Sequence, residues 1–508
     1  MTHELSMLGG SQIKYLQRTE ESAIQAGYQY DMGGVVYNDP LFFQMMSERQ
    51  LDLFSSAIFR DRFAAFYLNA DYALDRRYSV SATVRYDGSN ALGSDSSSRW
   101  LPTWNIGGKW NAHNEKFLKD ISWLNNLSGR VSYGLNASMP SISNAAAVYY
   151  SSQVYRPGYS ENKIDIMSLA NKELTWEKSY QFNTGVDLGV LDNRLTLSVD
   201  YFNRQSFDLI SLIKTSGIGG ELWKFANYAD LSAHGYDVTI GGTIVRTKNW
   251  GLNANVTFGY STNTIKNTKD LPMVYNLVAQ QGGNLEGYPV NSLFSIPFSR
   301  IDPETGVPLF IGPDGKETQD INMQSTDTDF LKYEGQVDPK FTGGFNVTAR
   351  YKNLSLNAFF TYQGGNKLRL TPVYQSTYSD LDAMPKEFAN RFLMTGDDLS
   401  PAIVDWVHQS VTLGQGGYPY ENYNYSDARV VDGGFVRLKN VSLNYDLDQQ
   451  WIKKVKFLRN ASVRLTVKDP WLIYSDPGLN GQDPEFFNTG GVAMPTTTQY
   501  TATLNLGF

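Results

Sequence analysis

The sequence predicts an all-β chain, a transmembrane antiparallel β-barrel, from three observations. Residues alternate strictly between apolar and polar over stretches of about ten residues, the length a tilted strand needs to cross a bilayer. The connections between these stretches are alternately short and long. The composition is rich in aromatics, 14%, and poor in charge, 19%.

Alternation is clearest in 66–74, where Phe66, Leu68, Ala70, Tyr72 and Leu74 interleave with Tyr67, Asn69, Asp71 and Ala73. After Asp75-Arg76-Arg77, the residues Tyr78, Val80, Ala82, Val84 and Tyr86 interleave with Ser79, Ser81, Thr83, Arg85 and Asp87. One face suits lipid and ends in tyrosines; the other suits a wet lumen. The unit recurs with Tyr180–Leu188 and Leu195–Tyr201, with Tyr236–Ile244 and Trp250–Tyr260, and with Phe345–Tyr351 and Leu354–Tyr362. Further strands are expected at 102–111, 127–136, 433–447, 460–468 and 496–508, giving about 14 in all.

Turns at 75–77, 191–194, 246–249 and 352–353 are tight, whereas 88–100, 137–173, 204–233, 263–340 and 366–430 are expected as long loops. Short periplasmic turns and long external loops are the asymmetry of a bacterial barrel. A soluble β-sandwich would lack this rhythm and would expose an apolar face to water. Mean hydropathy is −0.36, and no run approaches the roughly 18 apolar residues of a membrane helix. The net charge of −7 speaks against nucleic acid as a partner. The 508 residues contain no cysteine, which fits a chain that crosses an oxidising periplasm unfolded.

The terminal segment also alternates, with Tyr500, Ala502, Leu504, Leu506 and Phe508 on one face. Phe508 is therefore expected to serve as the barrel-assembly signal. Residues 1–20 show no charged, apolar and small-residue succession of an export signal, so the chain is expected to be part of a longer or split barrel. Residues 1–60 are expected to hold a strand and external segment continuing from an N-terminal part, and 61–508 the C-terminal portion of the barrel.

Several phrases, in order, resemble one family. They are Arg76-Arg77-Tyr78 through Asp87-Gly88-Ser89, Leu174-Thr175-Trp176-Glu177-Lys178, Asp187-Leu188-Gly189 and Asp192-Asn193-Arg194 with Asp200-Tyr201-Phe202. Downstream come Ile301-Asp302-Pro303-Glu304-Thr305-Gly306-Val307-Pro308, Phe435-Val436-Arg437-Leu438-Lys439-Asn440-Val441 and Asp483-Pro484-Glu485. Together, from about residue 60 onward, they resemble the SusC/RagA-type TonB-dependent transporters of Bacteroidetes outer membranes. Two stretches depart from that pattern: Gly134-Leu135-Asn136-Ala137-Ser138, and Lys468-Asp469-Pro470-Trp471, where proline removes a ladder donor near a strand end.

The resemblance implies the C-terminal part of a barrel of roughly 22 strands, with the plug and the TonB-binding segment outside this chain. It implies the N-terminal half with its plug, a SusD-like surface lipoprotein, TonB and outer-membrane lipid as partners, and glycans or oligopeptides as ligands. The alternatives are a SusC-like barrel acting as a scaffold in an outer-membrane assembly, and a passive porin.

No catalytic or cofactor constellation is evident. His3, His113, His234 and His408 are widely separated, and no nucleophile elbow or P-loop occurs. Asp302, Glu304 and Asp314 sit in turn sequences. Asp327 and Asp329 are candidates for a loop calcium, although their spacing matches no EF-hand. The loops are rich in rings: Tyr149, Tyr150, Tyr155, Tyr159, Trp223, Tyr374, Tyr378 and Tyr425, and above all Tyr418, Tyr420 and Tyr423. Such rings suit ligand capture, contact with a lid, or packing of the loops on one another.

Overall fold

The computed structural model describes residues 2–23, 40–41, 44–45, 54–139, 148–156, 159–215, 223–268, 271–374, 386–390, 419–452, 454, 458–486 and 497–508. Its main feature is a 14-stranded sheet in which strands follow one another in chain order. The first seven are β1 (His3–Ala23), β2 (Phe54–Leu74), β3 (Tyr78–Ser89), β4 (Trp100–Asn111), β5 (Leu124–Ser138), β6 (Glu177–Val190) and β7 (Leu195–Lys214). The others are β8 (Trp223–Arg246), β9 (Trp250–Asn267), β10 (Phe341–Tyr351), β11 (Leu354–Gly364), β12 (Phe435–Asp446), β13 (Asn460–Ser475) and β14 (Gln499–Gly507). No helix among the described residues is long and apolar enough to cross a membrane.

The register shows why the alternation matters. Leu68 lies opposite Val84 and Tyr72 opposite Val80, while Asn69 faces Thr83 and Asp71 faces Ser81. Like therefore meets like on each face, and a slip of one residue would exchange the faces. Phe66 is 57% exposed and Val84 54%. Large side chains left this open in contiguous rows need a lipid solvent. The β2–β3 turn closes with Arg77 N donating to Leu74 O at 2.9 Å. Asp75 and Arg76 both take positive φ, 51° and 56°, whose twist matches that of a two-residue hairpin.

The chain divides into two compact units, Met1–Gly108 with Ser132–Phe182 and Gln205–Asp230, and Lys109–Val131 with Asn183–Arg204 and Leu231–Phe508. In the first unit, Leu92 and Leu174 are fully buried and Trp176 nearly so. Trp176 Nε1 donates to Arg99 O at 3.1 Å, and Gly93 N to Leu174 O at 2.8 Å. Lys178 pairs with Asp208 at 2.8 Å. The Leu-Thr-Trp-Glu-Lys phrase is thus a packed knot at the external end of β6. In the second unit the core is shared by the connections between β9 and β10 and between β11 and β12.

Three expectations need correction. Residues 204–233 are largely strand rather than loop, since β7 runs to Lys214 and β8 begins at Trp223. The period of two is interrupted there by adjacent apolar pairs, Leu209-Ile210 and Leu212-Ile213, so no single apolar row stands out. The expected loop 137–173 contains a strand pair, Val148–Arg156 with Tyr159–Ser168. Between β4 and β5 the chain makes a succession of helical turns from Ala112 to Leu124. Finally, β13 runs past Pro470 to Ser475. Its ladder with β12 skips from Lys468, opposite Asn440, to Trp471, opposite Leu438. Pro470 sits in that irregularity, where its missing N–H leaves no ladder partner unserved.

Candidate functional site

The external connections β9–β10 and β11–β12 of the second unit fold around a shared core. Val274, Leu277 and Val278 project from a short helix, Val274–Val278, onto Phe294, Ile296 and Phe310. Tyr420 and Tyr423, three residues apart on the helix Pro419–Tyr423, complete this core at 1% exposure each. Tyr423 meets Phe298 edge to face at 5.2 Å, and Tyr420 lies 5.6 Å from Tyr374. Burial pushes the Tyr423 phenol well above the ordinary tyrosine range. Among the tyrosines put forward from sequence, Tyr420 and Tyr423 thus take the packing role in this structure, and Tyr418 lies outside the described residues.

Buried polar groups hold the core to its surroundings. The guanidinium of Arg369 donates to Phe294 O at 2.6 Å, Ser426 O at 2.8 Å and Ser295 Oγ at 3.0 Å. Burial lowers its pKa to about 9, so it stays charged at neutral pH. Asn424 accepts from Val373 N at 3.0 Å and donates to Tyr374 O at 2.8 Å. Arg429 donates to Glu387 at 2.7 Å and to Thr371 O at 2.8 Å. Carbonyl, amide, hydroxyl and carboxylate partners replace much of the water that these groups lost on burial, while Nε of Arg369 and of Arg429 finds none among the described residues.

The rings that remain open are others. Tyr275 is 52% exposed and meets Tyr425 edge to face at 6.1 Å. Tyr333, more than a third exposed, packs against Tyr288 at 4.9 Å and Phe294 at 5.3 Å. Tyr275, Tyr288 and Tyr333 were not singled out from sequence. For Tyr275 a signal existed, since Val274, Leu277 and Val278 mark one helical face as buried and leave Tyr275 off it. The side chains of Tyr149, Tyr150, Tyr155, Tyr159 and Trp223, and all of Tyr378, lie outside the described residues.

Acidic loop residues build turns. Asp302 accepts from Glu304 N at 3.0 Å, and Gly306, at φ 72°, donates to Asp302 O at 2.8 Å. The Glu304 amide holds the Asp302 carboxyl below its ordinary range. Asp314 accepts from Lys316 N at 3.1 Å in the following hairpin. Asp327 and Asp329 are exposed, and no group of three His, Asp or Glu able to hold a metal occurs among the described residues.

On the polar face of the wall, Arg130 of β5 pairs with Asp187 of β6 and with Asp200 of β7 at 2.6 Å. Ser198 also donates to Asp187 at 2.8 Å. Gly185 leaves the room that this arrangement needs, because a Cβ there would collide with the Asp200 carboxylate and the Arg130 guanidinium. Nearer the short turns, a shallow cleft of about 290 Å³ is lined by Arg194 and by neutral polar groups that include Thr196, Asn253, Asn255 and Asn346. At the other end of the chain, Gly507 of β14 pairs with Asn460, and Phe508 stands 69% exposed beyond it.

A family model described as TonB dependent receptor-like, beta-barrel, matches residues 9–469. TonB-dependent receptor P3 of Formosa agariphila is 26% identical, over 95% of this chain and 47% of its own length. TonB-dependent receptor SusC of Bacteroides thetaiotaomicron is 25% identical over 84% of this chain and 42% of its own. The chain therefore spans about half the length of the curated relatives it matches. Among solved structures, the RagAB peptide importer in its closed-closed state superposes with a TM-score of 0.77 at 23% identity. The match covers 100% of this chain and 54% of the other.

Proposed function

Because the chain belongs to the TonB-dependent receptor-like β-barrel family, we propose that it supplies wall and external loops to an energy-coupled importer of glycans or oligopeptides. The fold is an outer-membrane β-barrel wall, and the relatives include SusC. The observation that carries the reading is the external body built from the β9–β10 and β11–β12 connections. Its core is closed by Tyr420 and Tyr423, and it keeps Tyr275 and Tyr333 open. A rigid body with open rings is suited to hold a sugar or peptide face, since little order is lost on binding.

The partners follow the same reading: a SusD-like lipoprotein over the external loops, and TonB engaging a plug that belongs to the complete protein. Phe508 is the assembly signal in this account. The test is purification of the complete protein from outer membranes in mild detergent. Recovery of a surface lipoprotein, with oligosaccharide or peptide identified by mass spectrometry, is expected. Stable recovery with secretion or assembly machinery and no such ligand would overturn import in favour of a scaffold.

A further inference from the structure

At the end of the wall that carries the short turns, the connection from β4 to β5 folds onto the apolar face. Lys119 N donates to Glu115 O at 3.0 Å, closing one helical turn, and Leu118 N donates to the same oxygen at 3.1 Å. The buried Glu115 side chain accepts from Trp110 Nε1 at 3.3 Å. Trp110 continues the exposed row of Trp104 and Ile106 on β4, so the connection is tied to the lipid-facing side of the strand.

Beyond that tie, Phe117 is 70% exposed and Trp123 55%. Lys116 and Lys119 are exposed beside them, and neither is ion-paired with a described residue. Of the two acids in the segment, Glu115 is buried and only Asp120 is exposed. Open rings and exposed lysines in a connection bonded to the lipid-facing Trp110 match the chemistry of a bilayer interface. Tryptophan favours the glycerol region, and a lysine stem lies along apolar surface while its ammonium reaches a phosphate.

We propose that this base of the β4–β5 connection is a binding site for an anionic phospholipid of the leaflet facing the periplasm. Phe117 and Trp123 would pack on its upper methylenes, with Lys116 and Lys119 on its phosphate. Continuity with the lipid-facing row of β4 favours a lipid over a soluble partner, and the lysine pair favours an anionic headgroup over a zwitterionic one.

The test uses the complete protein in nanodiscs of phosphatidylcholine mixed with phosphatidylglycerol, released into detergent and weighed by native mass spectrometry. Phosphatidylglycerol is expected to outlast phosphatidylcholine, and K116Q/K119Q to cut its retention about tenfold without changing that of phosphatidylcholine. Equal retention of the two lipids, or retention untouched by the double substitution, would overturn the site. A second readout stands apart from lysine chemistry. With F117C carrying a fluorophore, this chain having no cysteine of its own and any cysteine elsewhere in the complete protein replaced by serine, quenching by a nitroxide near the lipid headgroup is expected. Quenching by aqueous iodide alone would overturn the site as well.

Discussion

Arg437 and Asp483, 46 positions apart, form an ion pair whose side chains are 4% and 6% exposed. Arg437 lies on β12, and Asp483 lies in the segment that follows β13. Glu485 joins at 2.7 Å from Arg437 and 2.9 Å from Lys439, and Lys439 also reaches Asp469 at 3.2 Å. The Phe-Val-Arg-Leu-Lys and Asp-Pro-Glu phrases are thus two halves of one electrostatic clasp, which fixes the external segment 476–486 to the wall.

Removing Asp483 leaves the buried Arg437 guanidinium with Glu485 as its remaining acidic partner. Asp483→Ala is expected to cost about 1.5–3 kcal/mol locally, read as faster amide exchange in 476–486. R437M/D483L, which removes both charges, is expected to recover much of that loss. Equal exchange in wild type and D483A would contradict the clasp.

The two kinds of loop tyrosine should separate by readout. Tyr423→Ala empties a filled core position and is expected to lose about 3 kcal/mol or more of stability. Tyr275→Ala should leave the melting temperature in place and weaken ligand capture about fivefold. A melting shift for Tyr275→Ala as large as that for Tyr423→Ala would count against the division.

Gly185→Val forces a side chain into the space of Arg130 and Asp200. Poor recovery of assembled barrel is expected, seen as loss of the heat-modifiable band in gels. Gly129→Ala serves as the control, since a Cβ there meets nothing within 4 Å.

The turn at Asp302 carries a pH dependence of defined sign. Its carboxyl is held below the ordinary aspartate value by the Glu304 amide. The folded turn binds this proton less readily than the open one, so the stabilisation is complete above that ordinary value. It is lost as pH falls through the lowered folded value. Protection of the Gly306 amide, which donates to Asp302 O, should therefore hold from neutrality down to about pH 4 and fall below it.

Deleting Phe508, or replacing it with Ala, should lower the amount of assembled barrel while leaving the exported pool unchanged. Pulse-chase fractionation reads both quantities, and unchanged assembly would remove the signal role.

The wall was legible because lipid on one face and water on the other impose a period of two, as in Phe66–Leu74 and Tyr78–Tyr86. The same rule explains the failures. Past Tyr201, β7 still carries Phe207 and Leu209 between polar residues, but the adjacent apolar pairs Leu209-Ile210 and Leu212-Ile213 break the period of two. Pro470 marked a strand end in sequence, yet an irregular ladder carries β13 past it. The loop core escaped because its contacts join segments about a hundred residues apart, Phe298 with Tyr423 for example. The i, i+3 spacing of Tyr420 and Tyr423 was a usable sign of a shared buried face. Arg437 and Asp483 were both noticed, but as separate phrases, since nothing local in either one points to the other.

The most direct test is a scan of single cysteines along β3 from Ser79 to Val84 in the complete protein, each labelled with bimane in native-like bilayers. Quenching by lipid-chain nitroxides should be strong at Val80, Ala82 and Val84 and weak at Ser79, Ser81 and Thr83. A profile without that two-residue period would contradict a wall with lipid on one face and water on the other.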